Sequence, residues 1–493
     1  MNSNPSPPDK PSRSSILRNW TSLIGMSTVV ASLFAFFLLF VLDALAHSGN
    51  PYVGILTYLV APGFTVIGLV LMVLGAVVRR WRIARAVGSA PPLQIDLSRP
   101  RDRRIMGVFV GATVVFLLVT ALGSYHTYHF TESVQFCGQA CHTVMQPELV
   151  TYQHSPHARV ACTECHIGPG AAWYVRSKLS GTYQVYATLK NIYPRPIPTP
   201  IKNLRPAQET CEECHWPEKF VGNLDRTYSY FLSDETNTQH EVRMLLKVGG
   251  GDATHGPVGG IHWHMNVGQK VEYFATDPAR QKIPWVRLTD PNKVVTEFRA
   301  PGFTNAVDPS AIRVMDCMDC HNRPAHIFES PNAAVDLAMK LGKIDTSLPY
   351  IKTNAVYVLT QSYTNETEAL QKMATHLANQ YPKAPSVRQA IPVVQQIYRD
   401  NFFPEMKANW RVYPDNIGHK DWPGCFRCHD GKHASADGKS MIKANDCNAC
   451  HLILAQGSGR ELESLNPSGL PFQHPGDEYD KEFLCSDCHT GGP

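Results

Sequence analysis

The amino-acid sequence predicts a membrane protein with a three-helix transmembrane anchor, followed by a mostly α-helical, loop-rich domain with a small β-rich insertion. Two observations support this prediction. Three long apolar stretches without formal charge lie in the first quarter of the 493-residue chain. All 14 cysteines come after these stretches, beginning at Cys137. The chain is therefore divided into an apolar first part and a second part that carries every cysteine.

The three apolar stretches each have the length of a membrane-spanning helix. They are the 24 residues between Arg18 and Asp43, residues 52–78, and residues 105–125. A helix needs ~20 apolar residues to cross a bilayer. Ala44-Leu45-Ala46 after the first stretch leaves open a cleaved signal peptide, although the apolar run exceeds the usual ~7–15 residues.

Arginine predicts the orientation of the anchor. Eight arginines lie in the loop 79–104 and three basic residues lie in the tail 1–18, whereas residues 43–51 contain no lysine or arginine. Because basic loops stay in the cytoplasm, we expect the tail and this loop to be cytoplasmic and everything after residue 125 to lie outside. Residues 1–124 carry a charge of +7 and the remainder −3, which excludes a basic nucleic-acid-binding surface on the larger part.

Seven cysteine motifs follow the anchor and use all 14 cysteines. Six have the form Cys-x-x-Cys-His: Cys162-x-x-Cys165-His166, Cys211-x-x-Cys214-His215, Cys317-x-x-Cys320-His321, Cys425-x-x-Cys428-His429, Cys447-x-x-Cys450-His451 and Cys485-x-x-Cys488-His489. The first motif, Cys137-Gly138-Gln139-Ala140-Cys141-His142, has one extra residue.

This spacing is typical of covalent haem c attachment. Two thiols on one turn add to the two vinyl groups of haem, and the next histidine binds the iron as the proximal ligand. Disulfides or structural zinc would not require a histidine directly after each second cysteine. The sequence therefore predicts a multihaem c domain with seven covalently bound haems, attached on the outer side of the membrane.

Histidines near the motifs are candidates for the sixth, distal iron ligand. Two histidines on one iron give a low-spin haem that transfers electrons without binding substrate. The candidate distal histidines are His157, His262, His264, His326, His419, His433 and His474. Met145 lies three residues after His142 and is the candidate sixth ligand of the first iron, with a core methionine as the alternative.

The motifs divide the chain into predicted segments. They are a cytoplasmic tail 1–18, transmembrane helices within 19–125, a triheme region 126–225, a β-rich insertion 226–310, a fourth-haem region 311–335, a helical spacer 336–410 and a C-terminal triheme region 411–493. The insertion is predicted from alternating stretches such as residues 270–274 and 294–298.

The region around the first two motifs resembles the NapC/NirT family of quinol dehydrogenases. The resemblance rests on a membrane helix leading into the first motif, on Met145 and His157, and on Lys178 twelve residues after His166. The whole chain resembles a branch of inner-membrane cytochromes with three spans and seven haems, found in metal-reducing bacteria. Four further segments carry that likeness: residues 214–220, 260–265, 320–324 and 424–431.

The resemblance implies oxidation of menaquinol beside the first haem and electron transfer to periplasmic c-type cytochromes. It also implies a bacterial cytoplasmic (inner) membrane location and a role for Lys178 in the quinol site. The chain departs from the family in the extra residue of its first motif and in having no acidic residue soon after Lys178. Because quinol oxidation releases protons, the candidate proton acceptors are Glu148, His126 and His129.

Two other functions stay open from the sequence. One is a terminal reductase, in which a haem without a distal ligand binds a small oxyanion. The other is an electron relay that receives electrons from the quinol-oxidising subunit of a partner. High-spin haem would indicate the first alternative, and failure of quinol to reduce the protein would indicate the second.

Overall fold

The structure is a computed structural model that divides into two compact units, residues 1–140 and 141–493. The residues that it describes are 20–46, 56–87, 98–140, 142–168, 171–201, 204–250, 259–265, 268–444, 446–476 and 485–489. The described part of the first unit is helical, and the second unit combines short helices, two small sheets and loops.

The first unit contains three long helices and one short one. They are α1 (Trp20–Ala46), α2 (Ala61–Val87, after a π-helical turn Leu56–Val60), α3 (Pro100–Thr131) and α4 (Val134–Gln139). The segments Trp20–Val41 and Leu56–Arg82 are long and apolar enough to span a membrane, judged by length and composition. The third predicted span lies inside α3, whose 32 residues extend ~48 Å.

Helices α1 and α2 approach each other closely through small residues. A Cβ atom at Gly25 would lie 2.6 Å from the carbonyl oxygen of Gly68, so only glycine permits this approach. The hydroxyl groups of Ser32 and Thr65 lie 2.7 Å apart between the same helices, and the buried ring of Phe36 packs against α3. Small interfacial residues and paired hydroxyls are typical of helix packing in membranes.

The helices of the second unit fall into two groups. Those at or near the cysteine motifs are α5 (His142–Gln153), α6 (Cys162–His166), α7 (Ala171–Leu189), α8 (Ala207–Cys211), α9 (Cys317–Cys320), α14 (Cys447–Cys450) and α15 (Cys485–Cys488). The others form a helical region of α10 (Pro331–Lys340), α11 (Ile351–Thr360), α12 (Glu366–Gln380) and α13 (Val387–Asn401). Its core contains the buried side chains of Val335, Ile351, Leu359, Met373 and Val394.

Two antiparallel sheets lie beside the motifs. One has the strand order β1 (Asn223–Phe231), β2 (Gln239–Lys247), β8 (His451–Gly457). The other has the order β6 (Arg313–Val314), β3 (Lys270–Phe274), β4 (Trp285–Thr289), β5 (Val295–Arg299), β7 (Ala434–Ser435). Strands β6, β7 and β8 come from outside the predicted insertion 226–310, so the sheets join that segment to the regions of the fourth, fifth and sixth motifs.

A buried ion pair joins the helical region to strand β1. Lys352 Nζ donates to the carboxylate of Asp336 and, at 2.7 Å, to the carbonyl oxygen of Phe231. The side chains of the pair are only 6% and 4% exposed. In Lys352→Met the Asp336 carboxylate stays buried without this partner, so we expect the free energy of unfolding to fall by about 3 kcal/mol.

Thermal unfolding of the holoprotein, followed by circular dichroism, measures this loss. The double variant Asp336→Leu/Lys352→Met removes both charges and is expected to recover most of the lost stability. Equal melting temperatures for Lys352→Met and the wild type would contradict the prediction.

Candidate haem-binding site

The cysteine motifs form single turns that bring the second cysteine and the histidine close to the first cysteine. Helices α6, α9, α14 and α15 coincide with four motifs, and a 3₁₀ turn Gly424–Arg427 overlaps the start of a fifth. The backbone N–H of His321 donates to the carbonyl oxygen of Cys317 at 2.8 Å, and His429 donates to Cys425 in the same way at 2.9 Å. One turn therefore presents two thiols and an imidazole, which is what covalent haem attachment requires.

The structure places five predicted distal histidines opposite five proximal ones. The distances between ring centres are 6.3 Å for His166 and His326, 6.0 Å for His157 and His215, 6.3 Å for His262 and His321, 5.9 Å for His264 and His429, and 6.3 Å for His419 and His451. Imidazole nitrogens bind a metal ion at ~2.0 Å, so two imidazoles on opposite sides of one ion have ring centres ~6 Å apart. The five pairs fit an iron between their rings.

Hydrogen bonds orient four of the distal rings. Nδ1 of each lies within hydrogen-bonding distance of a backbone carbonyl oxygen: His157 with Pro324 at 2.9 Å, His262 with Val248 at 2.8 Å, His264 with Ile261 at 3.0 Å and His326 with Glu148 at 2.9 Å. A carbonyl oxygen can only accept, so Nδ1 carries the proton and Nε2 keeps its lone pair. This tautomer is the one in which a metal-binding histidine is commonly held.

Burial favours the neutral form of two of the paired imidazoles, those of His166 and His419. Burial and then the neighbouring His326 lower the pKa of His166 to about 4. Burial, followed by His451 and His489, lowers the pKa of His419 to about 4. Neutral imidazole is the form that binds metal ions.

One short turn places two histidine rings opposite two different motifs. His262 and His264 lie on the 3₁₀ helix Ile261–Met265, and residues two apart on such a helix point in different directions. His262 therefore meets His321, whereas His264 meets His429. Gly250 has φ +113°, and a Cβ there would lie 2.2 Å from the carbonyl carbon of His262, so glycine allows the end of the β2 segment to approach this turn.

A second segment connects three motifs. Residues 321–326 begin with the proximal histidine of the fourth motif, His321. The carbonyl oxygen of Pro324 accepts from His157, which faces His215 of the third motif. His326 faces His166 of the second motif.

Comparisons with known proteins show the family of this chain. Residues 99–196 match the model of the NapC/NirT cytochrome c family, N-terminal region. The chain is 42% identical to the cytochrome c-type protein ImcH of Geobacter sulfurreducens, over 96% of this chain and 95% of that protein. The chain belongs to the NapC/NirT family. It is also 32% identical to the cytochrome c-type protein NrfH of Wolinella succinogenes, over 18% of this chain and 53% of that protein.

No solved structure matches the chain. Membership of the NapC/NirT cytochromes c establishes covalently bound haem c and a role in electron transport. The paired histidine rings of this NapC/NirT cytochrome fit that cofactor, because one ring of each pair belongs to the residue directly after the two cysteines that would attach it.

The structure contradicts the prediction that His433 is an iron ligand in this NapC/NirT cytochrome. Its ring is 2% exposed, with Nδ1 2.8 Å from Asp430 Oδ1 and Nε2 2.7 Å from the carbonyl oxygen of Ile283. Both partners are acceptors, so both nitrogens donate and neither has a lone pair for iron. Although burial opposes the charge, the hydrogen bond and charge of Asp430 raise the pKa of His433 overall.

The candidates for the first and seventh irons are placed as follows. Met145 lies on α5 and is half-buried, while Cys141 lies outside the described residues. The exposed His474 has Nδ1 3.0 Å from the carbonyl oxygen of Pro475. His489 donates from Nδ1 to the carbonyl oxygen of Lys420 at 2.8 Å. The sixth ligands of these two irons stay predictions.

The residues predicted for the NapC/NirT quinol site are divided between the two units. His126 and His129 lie on α3 in the first unit, and Lys178 lies half-buried on α7 in the second. Glu148 lies on α5 with Oε2 3.2 Å from His326 Nδ1 and 3.9 Å from Arg323 Nη1. The Glu148 carboxylate therefore contacts a ring that faces the second motif.

Sequence reasoning missed an acidic residue inside the fourth motif. Asp319 is 2% exposed and accepts hydrogen bonds from Tyr273 Oη at 2.5 Å, Arg280 Nη1 at 2.9 Å and Arg313 Nε at 2.9 Å. It also accepts from the backbone N–H of Asp316 at 2.8 Å in a capping box. The motif is thus anchored to strands β3 and β6 and to the loop after β3. The two variable positions of a Cys-x-x-Cys motif carry no sequence signal of such a role.

Proposed function

We propose that this cytochrome is an inner-membrane menaquinol dehydrogenase that passes electrons from the quinone pool, through seven covalently bound haems c, to periplasmic electron carriers in anaerobic and extracellular respiration. The observation that carries the proposal is the set of five opposed histidine pairs. An iron held between two imidazoles has no open position, and such haems supply one-electron transfer. A terminal reductase would require an open position.

The proposed haem attachment follows the seven motifs. Five irons take the histidine pairs found in the structure. Met145 and His474 are proposed for the first and seventh irons on the basis of the sequence.

The proposed anchor has three spans, with the N-terminus in the cytoplasm and the haem domain in the periplasm. Two helices have the length and composition of membrane spans, and the third apolar stretch lies in α3. The eight arginines of residues 79–104 support the orientation.

The proposed quinol site includes Lys178 of α7. The adjacent face of this helix exposes three large apolar or aromatic side chains, those of Leu179, Tyr183 and Tyr186. These residues are spaced three and four apart and therefore share one face. Tyrosines together with apolar side chains are favoured at a membrane surface, which supports access of Lys178 to quinol in the bilayer.

The proposed proton acceptors are His126 and His129, together with Glu148. The rings of both histidines contact Tyr125 on α3, with centres 5.9 Å and 4.4 Å from it.

The proposed partners are periplasmic c-type cytochromes. Basic carriers fit best, because residues 125–493 carry a net charge of −3 and haem propionates add to it.

Reduction by a menaquinol analogue tests the function. The purified holoprotein is placed in anaerobic liposomes, and its haem α-band is followed for the wild type, Lys178→Ala and the control Lys190→Ala. Lys190 is exposed just after α7, so its loss is expected to have no effect. We expect rapid reduction of the wild type and a rate on the order of 100-fold lower in Lys178→Ala.

Reduction by dithionite measures how much of the haem in each sample can be reduced at all. A wild type that dithionite reduces but the quinol analogue does not would overturn the proposed quinol oxidation and favour the relay. Equal rates for Lys178→Ala and Lys190→Ala would overturn the assignment of Lys178.

A further inference from the structure

Arg323 is a buried cation with unused hydrogen-bonding capacity. Only 7% exposed, its guanidinium lies 3.9 Å from the ring centre of Tyr413. Nη1 donates weakly to the carbonyl oxygen of His326 at 3.4 Å and lies 3.9 Å from Glu148 Oε2. Nη2 has no hydrogen-bond partner among the described residues.

Arg205 presents the same feature between the second and third motifs. It is 7% exposed, with Nη2 3.4 Å from Glu209 Oε2 and Nη1 3.7 Å from Glu213 Oε1. Within the part of the chain that the structure describes, neither Nε nor Nη1 makes a hydrogen bond. Gly168 has φ +64°, and a Cβ there would lie 1.8 Å from Nη1, so the backbone after His166 closes over the guanidinium.

Buried guanidinium N–H groups without an acceptor destabilise the folded protein, unless an anion accepts hydrogen bonds from them. A buried donor without a partner costs about 1–3 kcal/mol, and more when it is charged. By contrast, Asp319 lies 2.9 Å from the guanidiniums of both Arg280 and Arg313 beside the fourth motif. The carboxylates nearest to Arg205 and Arg323 are more distant, at 3.4 Å, 3.7 Å and 3.9 Å. An anion that accepts from the unpaired nitrogens of Arg205 and Arg323 would therefore lie outside the described residues.

The position of both arginines indicates what the partner is. Arg323 donates to the carbonyl oxygen of His326, and the ring of His326 faces the second motif. The next residue, Pro324, accepts a hydrogen bond from His157, and the ring of His157 faces the third motif. Arg205 lies between Gly168, after the second motif, and Glu213, inside the third. Haem carries two propionate carboxylates, and a guanidinium matches a carboxylate with two parallel hydrogen bonds.

We propose that Arg205 and Arg323 bind the propionate carboxylates of the haems held by the second and third motifs. The inference rests on the haem ligation in the proposed function and not on quinol as the electron donor. A fixed cation beside a haem disfavours the more positive ferric state, so each arginine raises the reduction potential of its haem.

Resonance Raman spectroscopy of the holoprotein tests the contact directly, because the propionate-bending modes of haem respond to hydrogen bonds on the carboxylate. Wild type, Arg205→Gln and Arg323→Gln are compared with Arg399→Gln, in which the lost arginine pairs with Glu366 in the helical region. We expect a shifted bending band and a lower reduction potential for a subset of haems in the first two variants only. Unchanged bands in both variants, at equal haem content, would overturn the proposal.

If the glutamine variants fail to incorporate haem, lysine variants at the same two positions provide the test. Arg205→Lys and Arg323→Lys keep the charge but lose the paired donors, so a shifted bending band with a potential close to that of the wild type is expected. An experimental structure of the holoprotein gives a second readout. A propionate oxygen within hydrogen-bonding distance of Nε or Nη1 of Arg205, and another at Nη2 of Arg323, supports the proposal. A small anion or a protein carboxylate bound to those same nitrogens would overturn it.

The outcomes separate this inference from the proposed function. If quinol fails to reduce the protein but the bending bands shift as expected, the donor assignment fails and the arginine sites stand. If quinol reduction succeeds and the bands do not respond, the arginine sites fail alone.

Discussion

Replacing His264 with alanine is expected to convert one haem from a six-coordinate, low-spin form to a high-spin form. The ring of His264 faces His429 at 5.9 Å, and its Nδ1 is held by the carbonyl oxygen of Ile261. Removal of the imidazole opens one coordination position at the fifth motif while its two thiols and proximal histidine remain. The open position should also bind carbon monoxide in the reduced protein.

Electron paramagnetic resonance of the oxidised holoprotein measures the spin state, and the reduced-plus-CO difference spectrum counts the open positions. The matched control is His433→Gln, because His433 is also a buried histidine near the fifth motif but both of its nitrogens are hydrogen-bonded. We expect no high-spin signal in the control. A low-spin spectrum in His264→Ala, identical to that of the wild type, would show that another group binds this iron.

Replacing Asp319 with alanine is expected to lower the free energy of unfolding by about 4 kcal/mol, because it leaves two partly buried guanidiniums without their shared carboxylate. Arg280 and Arg313 both reach Asp319 at 2.9 Å, and the Tyr273 hydroxyl, which donates to the same carboxylate, is buried as well. The capping box of α9 is lost in the same variant. We therefore also expect poorer haem incorporation at the fourth motif.

Chemical unfolding followed by circular dichroism measures the stability, and the pyridine haemochrome assay measures the haem content. Asp225→Ala is the control, because Asp225 pairs with Arg243 on an exposed surface of the first sheet and such a pair contributes only ~0.2–1 kcal/mol. Equal unfolding midpoints for Asp319→Ala and Asp225→Ala would contradict the anchoring role of Asp319.

The sequence alone allowed prediction of the residues that carry the chemistry, because haem attachment is a local property. Two thiols and the next histidine lie on one turn wherever the motif occurs, so spacing is sufficient to find them. The apolar stretches are local too, since crossing a membrane depends on the length and composition of one segment. The structure has helices at all three stretches, with α3 continuing past the expected end at residue 125 to Thr131.

Only the tertiary structure decided which histidines face each other. His166 meets His326 and His264 meets His429, and each pair is separated by 160 residues or more. A distal ligand must approach from the opposite face of the haem, so it comes from another segment, and proximity along the chain does not identify it. His433 shows the consequence: it follows a motif by four residues, yet the fold brings the Ile283 carbonyl oxygen to its Nε2.

The same reason explains Asp319, Arg205 and Arg323, which are ordinary charged residues in the sequence. Their roles depend on burial and on groups brought from distant strands and loops, neither of which leaves a local pattern. The sequence therefore determined the chemical class of this protein through short-range spacing. The tertiary structure determined which histidine rings face each other, how Asp319 anchors the fourth motif and where the buried arginines lie, because these depend on contacts between segments far apart in the chain.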